Sequence, residues 1–361
     1  FGYIDSKKKT PVRSEHLYDL ASITKIAVSV PLLMSLVEEG KLNLDKTLGY
    51  YLPEAKGTNK ENLVLREILA HQSGLKPWIP FYLETLDHGK YKEGYYGKER
   101  SFDYPNVVSE GLYSQRYMRD TILKRILDSD LLPTKEYRYS DLGYYLFMQI
   151  IERMEGQPLD ELIHEKLYEP LGANTMVYHP LQIYPIDLIV PTEDDKTFRR
   201  SLIRGYVHDQ GAALLGGVAG HAGLFSTAND LAKLMQMYMQ KGEYAGVRYF
   251  DSVTVNEFIR CQYCQTKNRR GIGFDKPQLE GPGPTCGCVS DRSFGHSGFT
   301  GTLAWADPDE QIVYIFLSNR VNPDAENRKL LSLSTRTKIQ EVIYEAIQND
   351  DPTAALIGLA P

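Results

Sequence analysis

The stretch Ser22-Ile23-Thr24-Lys25 opens an apolar-periodic segment and sets a serine and a lysine three positions apart. A helix turns about 100° and rises ~1.5 Å per residue, so these side chains share one face roughly one turn apart. A lysine amine so placed can take the proton of the serine hydroxyl. Both residues fall in the first turn, where the positive end of the helix dipole disfavours an ammonium, and burial in a cleft acts in the same direction. Four residues thus meet the prerequisites for an activated serine nucleophile. The same four also read as a capping serine beside a solvated lysine, so the rest of the chain must decide.

Working outward, 361 residues suffice for one large domain or two closely packed ones. A hydrophobic share of 42% with 24% charged residues is that of a globular protein. The net charge of −6 and a pI near 5.8, with basic runs only at Lys7-Lys8-Lys9 and Arg199-Arg200, exclude a nucleic-acid footprint. The longest apolar run, Ile26 to Val37, is broken by Ser29, Pro31 and Ser35 and is too short to span a bilayer. Phe1 to Asp5 reads as the tail of a strand, followed by a polar turn over Ser6 to Thr10, with no signal-peptide pattern. This predicts that the sequence begins inside a longer polypeptide. Cys261, Cys264, Cys286 and Cys288 lie in C-x-x-C and C-x-C spacings. They suit free thiols or one or two disulfides, and less well a tetrahedral zinc site, because the second pair lies in an irregular Gly/Pro segment.

Coarse periodicity predicts helices over Ser22 to Gly40 (with Pro31 kinking it), Leu63 to Ala70, Arg119 to Ser129, Asp141 to Gly156 and Leu159 to Tyr168. Residues 84–118 read as a long irregular loop rich in tyrosine, either packed or walling a cleft, and 180–200 as an extended connection. Gly211 to Gly223 is a small-residue stretch. Ser226 to Asp230 reads as the cap of a helix over Leu231 to Lys241, followed by Val253 to Arg260. Strands follow at Gly271 to Phe274, Leu303 to Ala306 and Ile312 to Leu317, then a last helix over roughly Leu333 to Ile347. Strands at both ends with helices between predict an α+β fold. Its antiparallel sheet is assembled from both chain ends (1–50 and 200–361), with a mostly helical domain inserted at 51–199 and the site between them.

Two further segments suit the neighbourhood of Ser22. Tyr139-Ser140-Asp141 precedes a helix; a tyrosine there, close to a cationic lysine, suits partial deprotonation and a role as base or acid. It also reads as a capping Ser/Asp pair beside a packed tyrosine. His296-Ser297-Gly298-Phe299 enters a strand; Gly298 lets a substrate backbone lie along the edge, and the Phe299 N–H can point into a cleft. His296 also reads as an ordinary loop histidine.

The order Ser-x-x-Lys, Tyr-Ser-Asp, His-Ser-Gly resembles the serine β-lactamase and penicillin-binding-protein superfamily, in particular its class C-like branch of DD-peptidases and esterases. "LAHQSGL" at 69–75 and "GGVAGHAGLFSTANDLAKL" at 216–234 extend the resemblance over nearly the whole chain. It implies Ser22 as acylated nucleophile, Lys25 as its proton acceptor and Tyr139 as proton shuttle. It also implies an oxyanion hole from the Ser22 and Phe299 N–H groups, with Ser297 and Gly298 lining the substrate edge. His296 stands where the third motif commonly has lysine and resembles the His-Thr-Gly of some DD-peptidases. Asp141 departs from the usual asparagine of Tyr-x-Asn; a carboxylate there opposes Lys25 as base unless it turns away or pairs with another cation.

The expected activity is that of a serine hydrolase forming an acyl-enzyme on a small peptide, amide or ester, best a D-Ala-type cell-wall peptide, with no cofactor. A carboxylesterase, and a catalytically idle muropeptide-binding module, are the alternatives. The resemblance further implies a periplasmic or other extracytoplasmic bacterial location, and related chains sometimes carry this domain behind a glycoside hydrolase.

Overall fold

The apolar run after residue 17 builds the rod on which everything else packs. In the computed structural model, which describes residues 1–350 apart from 279 and 282, strand β1 (Tyr18–Asp19) leads into a 3-10 turn, Ala21–Ile23. A π-helical stretch, Lys25–Ser29, and helix α1 (Val30–Glu38) follow. The expected helix is therefore present as a three-part rod, buried throughout residues 26–34. Pro31 has no N–H to offer the Ala27 carbonyl one turn back in the rod, and the Tyr168 hydroxyl donates to that carbonyl at 2.8 Å. Ala21–Glu38 is long and apolar enough to cross a membrane, yet 78% of it is buried as a core element.

The middle of the chain is helical where the 3.6 periodicity predicts it, in α2 (Met118–Asp128) and α3 (Leu142–Glu155). Gly156 ends α3 with a left-handed φ of 71°, a conformation glycine adopts without a Cβ penalty. Residues 84–118 are not irregular. Leu86–Asp87 pairs with Lys90–Tyr91, and Tyr96–Gly97, Leu112–Ser114 and Asn106–Ser109 form a small antiparallel sheet. The tyrosines that hide strand alternation from a sequence reading pack instead around Phe198, with Tyr82, Tyr91 and Tyr96 at ring centroids of 5.2, 6.5 and 6.1 Å. The 180–200 connection likewise contains a strand, Pro191–Asp195, paired with Ser201–Arg204.

Strand β2 (Phe225–Ser226) pairs antiparallel with β1, tying the turn that carries Ser22 to the second half of the chain. Helix α4 (Ala228–Met239) follows, without the expected cap. Thr227 makes no capping bond, and the Asp230 carboxylate accepts from the Thr175 N–H and hydroxyl, both at 2.7 Å. After α5 (Ser252–Ile259), the expected strand at Gly271 to Phe274 is a turn closed by the Gly271 N–H on the Phe274 carbonyl. Gly273 sits there at φ 81°, and a Cβ on it would meet Val30 Cγ2 at 2.3 Å.

The main sheet has the order β3 (Phe294–Ser297), β4 (Leu303–Asp307), β5 (Ile312–Phe316), all antiparallel, with His296 opposite Ala304. Period-2 alternation assigns its faces. Ala304 and Ala306 face the main core under α4, whereas Leu303, Trp305 and Tyr314 face α6 (Thr335–Asp350), whose Tyr344 hydroxyl donates to Asp307 at 2.8 Å. The α+β class with small antiparallel sheets is as expected, but this sheet is built from residues 294–316 alone among those described. Phe1 to Asp5 is no strand of it, because the polar turn folds the segment back on itself: Ile4 N–H bonds Thr10 O, and Val12 N–H bonds Gly2 O. The four cysteines form the disulfides Cys261–Cys264 and Cys286–Cys288. Each thiol is consumed by its sequence neighbour, so the zinc alternative is overturned.

Candidate active site

The turn that carries Ser22 is clamped from several sides. Asp19, buried, accepts the Ala21 N–H on Oδ1 and the His208 N–H on Oδ2, each at 2.7 Å. It holds Ala21 at a left-handed φ of 47°, a strained conformation for a residue with a Cβ. The Thr300 hydroxyl donates to the Asp19 carbonyl at 2.8 Å, and the Thr302 hydroxyl to that of Leu20 at 3.1 Å. Gly298 explains the closeness: a Cβ there would stand 2.1 Å from Thr302 Oγ1 and 2.5 Å from the Leu20 carbonyl oxygen. Its role in the structure is thus to let the 298–302 turn pack on the nucleophile turn.

Lys25, with no exposed side-chain surface, donates to Ser22 Oγ at 2.8 Å and to the His221 carbonyl at 3.4 Å. Its Nζ also lies 2.7 Å from Asp141 Oδ1. That contact is an ion pair by distance but lacks the alignment of a hydrogen bond. Asp141 therefore neither turns away nor finds another cation: it faces the proposed base directly.

The Tyr139-Ser140-Asp141 segment is fixed ahead of α3 by Ser140, whose hydroxyl donates to the Lys76 carbonyl at 2.7 Å and whose N–H donates to His71 Nδ1 at 3.1 Å. Asp141 occupies the N-cap position of α3 without a side-chain capping bond. The Tyr139 ring stands 4.5 Å from the ring of His71 and 5.9 Å from that of His296, with Lys25 Nζ 5.1 Å from its centroid. Its hydroxyl lies beside Ser22 as a hydrogen-bonding neighbour, yet is aligned with no acceptor or donor of the protein. Burial first, and then Asp141, push the phenol well above the ordinary tyrosine range. The expected partial deprotonation is overturned: the resting group is a neutral phenol.

His296, on β3, is buried, and its Nδ1 contacts the Ser297 carbonyl at 2.7 Å, which places the proton on Nδ1 and leaves Nε2 an acceptor. Burial, then Arg270 and Lys25, hold it well below the usual histidine range, so the third motif presents a neutral ring. Ser297 ends β3. Phe299 lies 55% exposed between His208, stacked at 5.5 Å, and the Arg320 guanidinium at 4.7 Å. Its N–H donates to no acceptor among the described residues. The Ser22 N–H lies ahead of the first bonds of the rod, Leu20 O to Ile23 N–H and Ala21 O to Thr24 N–H. Both are therefore free to serve an incoming oxygen.

The structure thus gathers Ser22, Lys25, Tyr139, Asp141 and His296, with Ser297, Gly298 and Phe299 beside them. It adds His71, Tyr144, Arg270 and Asp19. His71 stands in the "LAHQSGL" stretch and Arg270 just before a Gly-x-Gly turn; each was legible as a motif neighbour but not as part of this cluster. Six polar atoms here are buried without a hydrogen-bond partner: the hydroxyls of Tyr139 and Tyr144, Nε2 of His71 and His296, Nη1 of Arg270 and Oδ1 of Asp141. Such a concentration of unsatisfied groups marks a functional cluster more than a structural one.

The family described as Beta-lactamase matches residues 1–335. An Escherichia coli K12 protein named "Putative D-alanyl-D-alanine carboxypeptidase" is 31% identical over 361 aligned positions, covering 92% of this chain and 77% of the relative. Two solved structures share the fold at 18% identity and a TM-score of 0.64. They are a D-amino acid amidase from Ochrobactrum anthropi SV3 (96% of this chain, 88% of that one) and EstCE1, a hydrolase with promiscuous acyltransferase activity (95% and 88%). The chain belongs to the beta-lactamase family.

Proposed function

We propose that this protein is a serine hydrolase that forms an acyl-enzyme on Ser22 and acts on D-alanyl peptides of the cell-wall type. The observation that carries the reading is the 2.8 Å contact between Ser22 Oγ and the Nζ of Lys25, whose side chain has no exposed surface. Ser22 Oγ attacks the substrate carbonyl carbon and passes its proton to the Lys25 amine. The oxygen that becomes negative is met by the Ser22 and Phe299 N–H groups. The Tyr139 phenol gives its proton to the departing amine or alkoxide, the C–N or C–O bond breaks, and the Lys25 ammonium restores the phenol. Water then reverses the sequence to release the acid.

The substrate class is supported by the 31% identical relative named for D-alanyl-D-alanine carboxypeptidase activity. An ester substrate is favoured by one observation, the Asp141 carboxylate that keeps 20% of its side-chain surface exposed where it would face a substrate carboxylate. The bacterial relatives and the two disulfides support an extracytoplasmic, oxidising location. Ser22, Lys25 and His296 come from the 1–50 and 200–361 segments and Tyr139 and Asp141 from 51–199, which supports a two-domain reading with the site between.

The test is intact-mass detection of an adduct on Ser22 after mixing with p-nitrophenyl acetate, with a fluorescent penicillin and with a D-Ala-D-Ala-terminated peptide. The adduct should vanish in Ser22→Ala. Release of D-alanine supports the peptidase, and ester turnover without penicillin labelling supports the esterase. No adduct with any probe overturns both.

A further inference from the structure

Arg270 is a buried guanidinium that the reaction scheme above does not use. It lies 3% exposed at the end of the turn that follows the Cys261–Cys264 disulfide, its N–H held by Asn268 Oδ1 at 3.0 Å. The Asn268 amide in turn donates to the Ala70 carbonyl and Gln72 Oε1, which fixes Arg270 against the His71 segment. Its guanidinium carbon stands 5.2 Å from the centroid of Tyr139, and its Nε lies 3.3 Å from the Tyr137 hydroxyl. Asp275 is 3.5 Å away, but that carboxylate is already taken by Arg269 at 2.7 and 3.0 Å. Arg270 therefore shares the Asp275 carboxylate with Arg269, and its Nη1 stays buried and partnerless beside the phenol.

The other cation facing Tyr139, Lys25 at 5.1 Å, lies 2.7 Å from Asp141. His71 and His296 pack against the ring and are uncharged, and burial keeps the Tyr144 phenol neutral. A guanidinium cannot lose its proton, so its charge is constant through any cycle.

We propose that Arg270 is a positioning residue that stabilises the Tyr139 phenolate formed when the phenol protonates the leaving group. It donates no proton itself; the electron pair stays on the Tyr139 oxygen until Lys25 returns a proton. Burial and Asp141 oppose that anion, and Arg270 is the largest group acting for it. The inference rests on Tyr139 as the proton shuttle.

The experiment compares acyl-enzyme formation from a methyl ester, whose methoxide needs a proton to leave, with that from p-nitrophenyl acetate, whose phenolate leaves without one, both followed by intact mass in the full chain at pH 7. Tyr139→Phe should slow the methyl ester and spare p-nitrophenyl acetate. Arg270→Met, which makes the phenol a weaker acid, should slow the methyl ester by about 3–10-fold with p-nitrophenyl acetate nearly unchanged, and Arg270→Lys should restore it. Asp275→Asn, which removes a counter-charge, should speed the methyl ester, and it reports even where Arg270→Met does not fold. A methyl-ester rate unmoved in Asp275→Asn and in folded Arg270→Met overturns the proposal while leaving Tyr139 in place. Full methyl-ester activity in Tyr139→Phe overturns the shuttle reading instead, and this inference with it.

Discussion

Asp141 Oδ1 lies 2.7 Å from the Nζ of Lys25, so the lysine that contacts the nucleophile is also half of a buried ion pair. One group thereby faces two demands: it must be free of its extra proton to accept one from Ser22, and it sits beside a carboxylate that stabilises the ammonium. Replacing Asp141 by asparagine separates them. The buried Nζ then has no counter-charge, and its remaining contacts are Ser22 Oγ and the His221 carbonyl. We expect Asp141→Asn to raise the rate of the p-nitrophenol burst at pH 7 by roughly tenfold, read by stopped flow. A slower burst would show that the carboxylate helps the base.

Lys25→Met should cost activity and stability together. Loss of the proton acceptor should lower Ser22 acylation by about 10²–10⁴-fold. The unpaired Asp141 should lower unfolding free energy by less than the ~3–5 kcal/mol typical of a fully buried partner, since it keeps solvent contact. The double variant Lys25→Met/Asp141→Asn should recover the stability in urea titrations and none of the acylation. Equal recovery of both would mean that the lysine acts only as a structural ion.

How far the sequence led can be judged at particular residues. The Ser22–Lys25 contact was legible because a three-residue spacing on any helical path, 3-10 and π included, keeps both side chains on one face. The edges of α2, α3 and α5 were legible because their apolar residues repeat at helical spacing against one core. Gly271 to Phe274 misled because Ile272 and Phe274 alternate as in a strand, while Gly273, at a positive φ, packs where a Cβ would meet Val30, more than two hundred residues earlier. The neutrality of Tyr139 and His296 was not legible either. For Tyr139 it arises from burial and Asp141, and for His296 from burial and Arg270, surroundings decided only by tertiary packing.

Gly298 offers a test of how the oxyanion turn is seated. An alanine Cβ would meet Thr302 Oγ1 and the Leu20 carbonyl well inside contact distance. The 298–302 turn must then lift off the nucleophile turn, displacing the Phe299 N–H. We expect Gly298→Ala to lower kcat by about 10–10²-fold, short of the full loss of an oxyanion donor, and to destabilise by ~1–3 kcal/mol. Adding Thr302→Ala should not restore kcat, because the Leu20 carbonyl is backbone and cannot yield. Restoration would mean that only the hydroxyl was in the way.

Lys276 gives a pH prediction independent of catalysis. Its side chain is buried, with Nζ donating to the carbonyls of Arg292 and Ser293 at 3.3 and 3.0 Å. Burial pushes its pKa down to about 8 from the ordinary 10.5. A base depressed by folding binds its proton less tightly in the native state than in the unfolded one. Its contribution to stability is therefore present above pH 10.5 and lost as pH falls through about 8. Stability from urea titrations should rise between those values, by no more than about 3 kcal/mol. Lys60, depressed to about 8 by burial as well, adds a rise of the same sign, so the decisive quantity is wild type minus Lys276→Met. Methionine keeps the aliphatic stem and removes the charge. The difference should therefore favour the variant at pH 7 and drift towards wild type as pH approaches 10.5. A difference that stays flat over that interval would mean Lys276 is solvated in the folded protein and carries no burial cost.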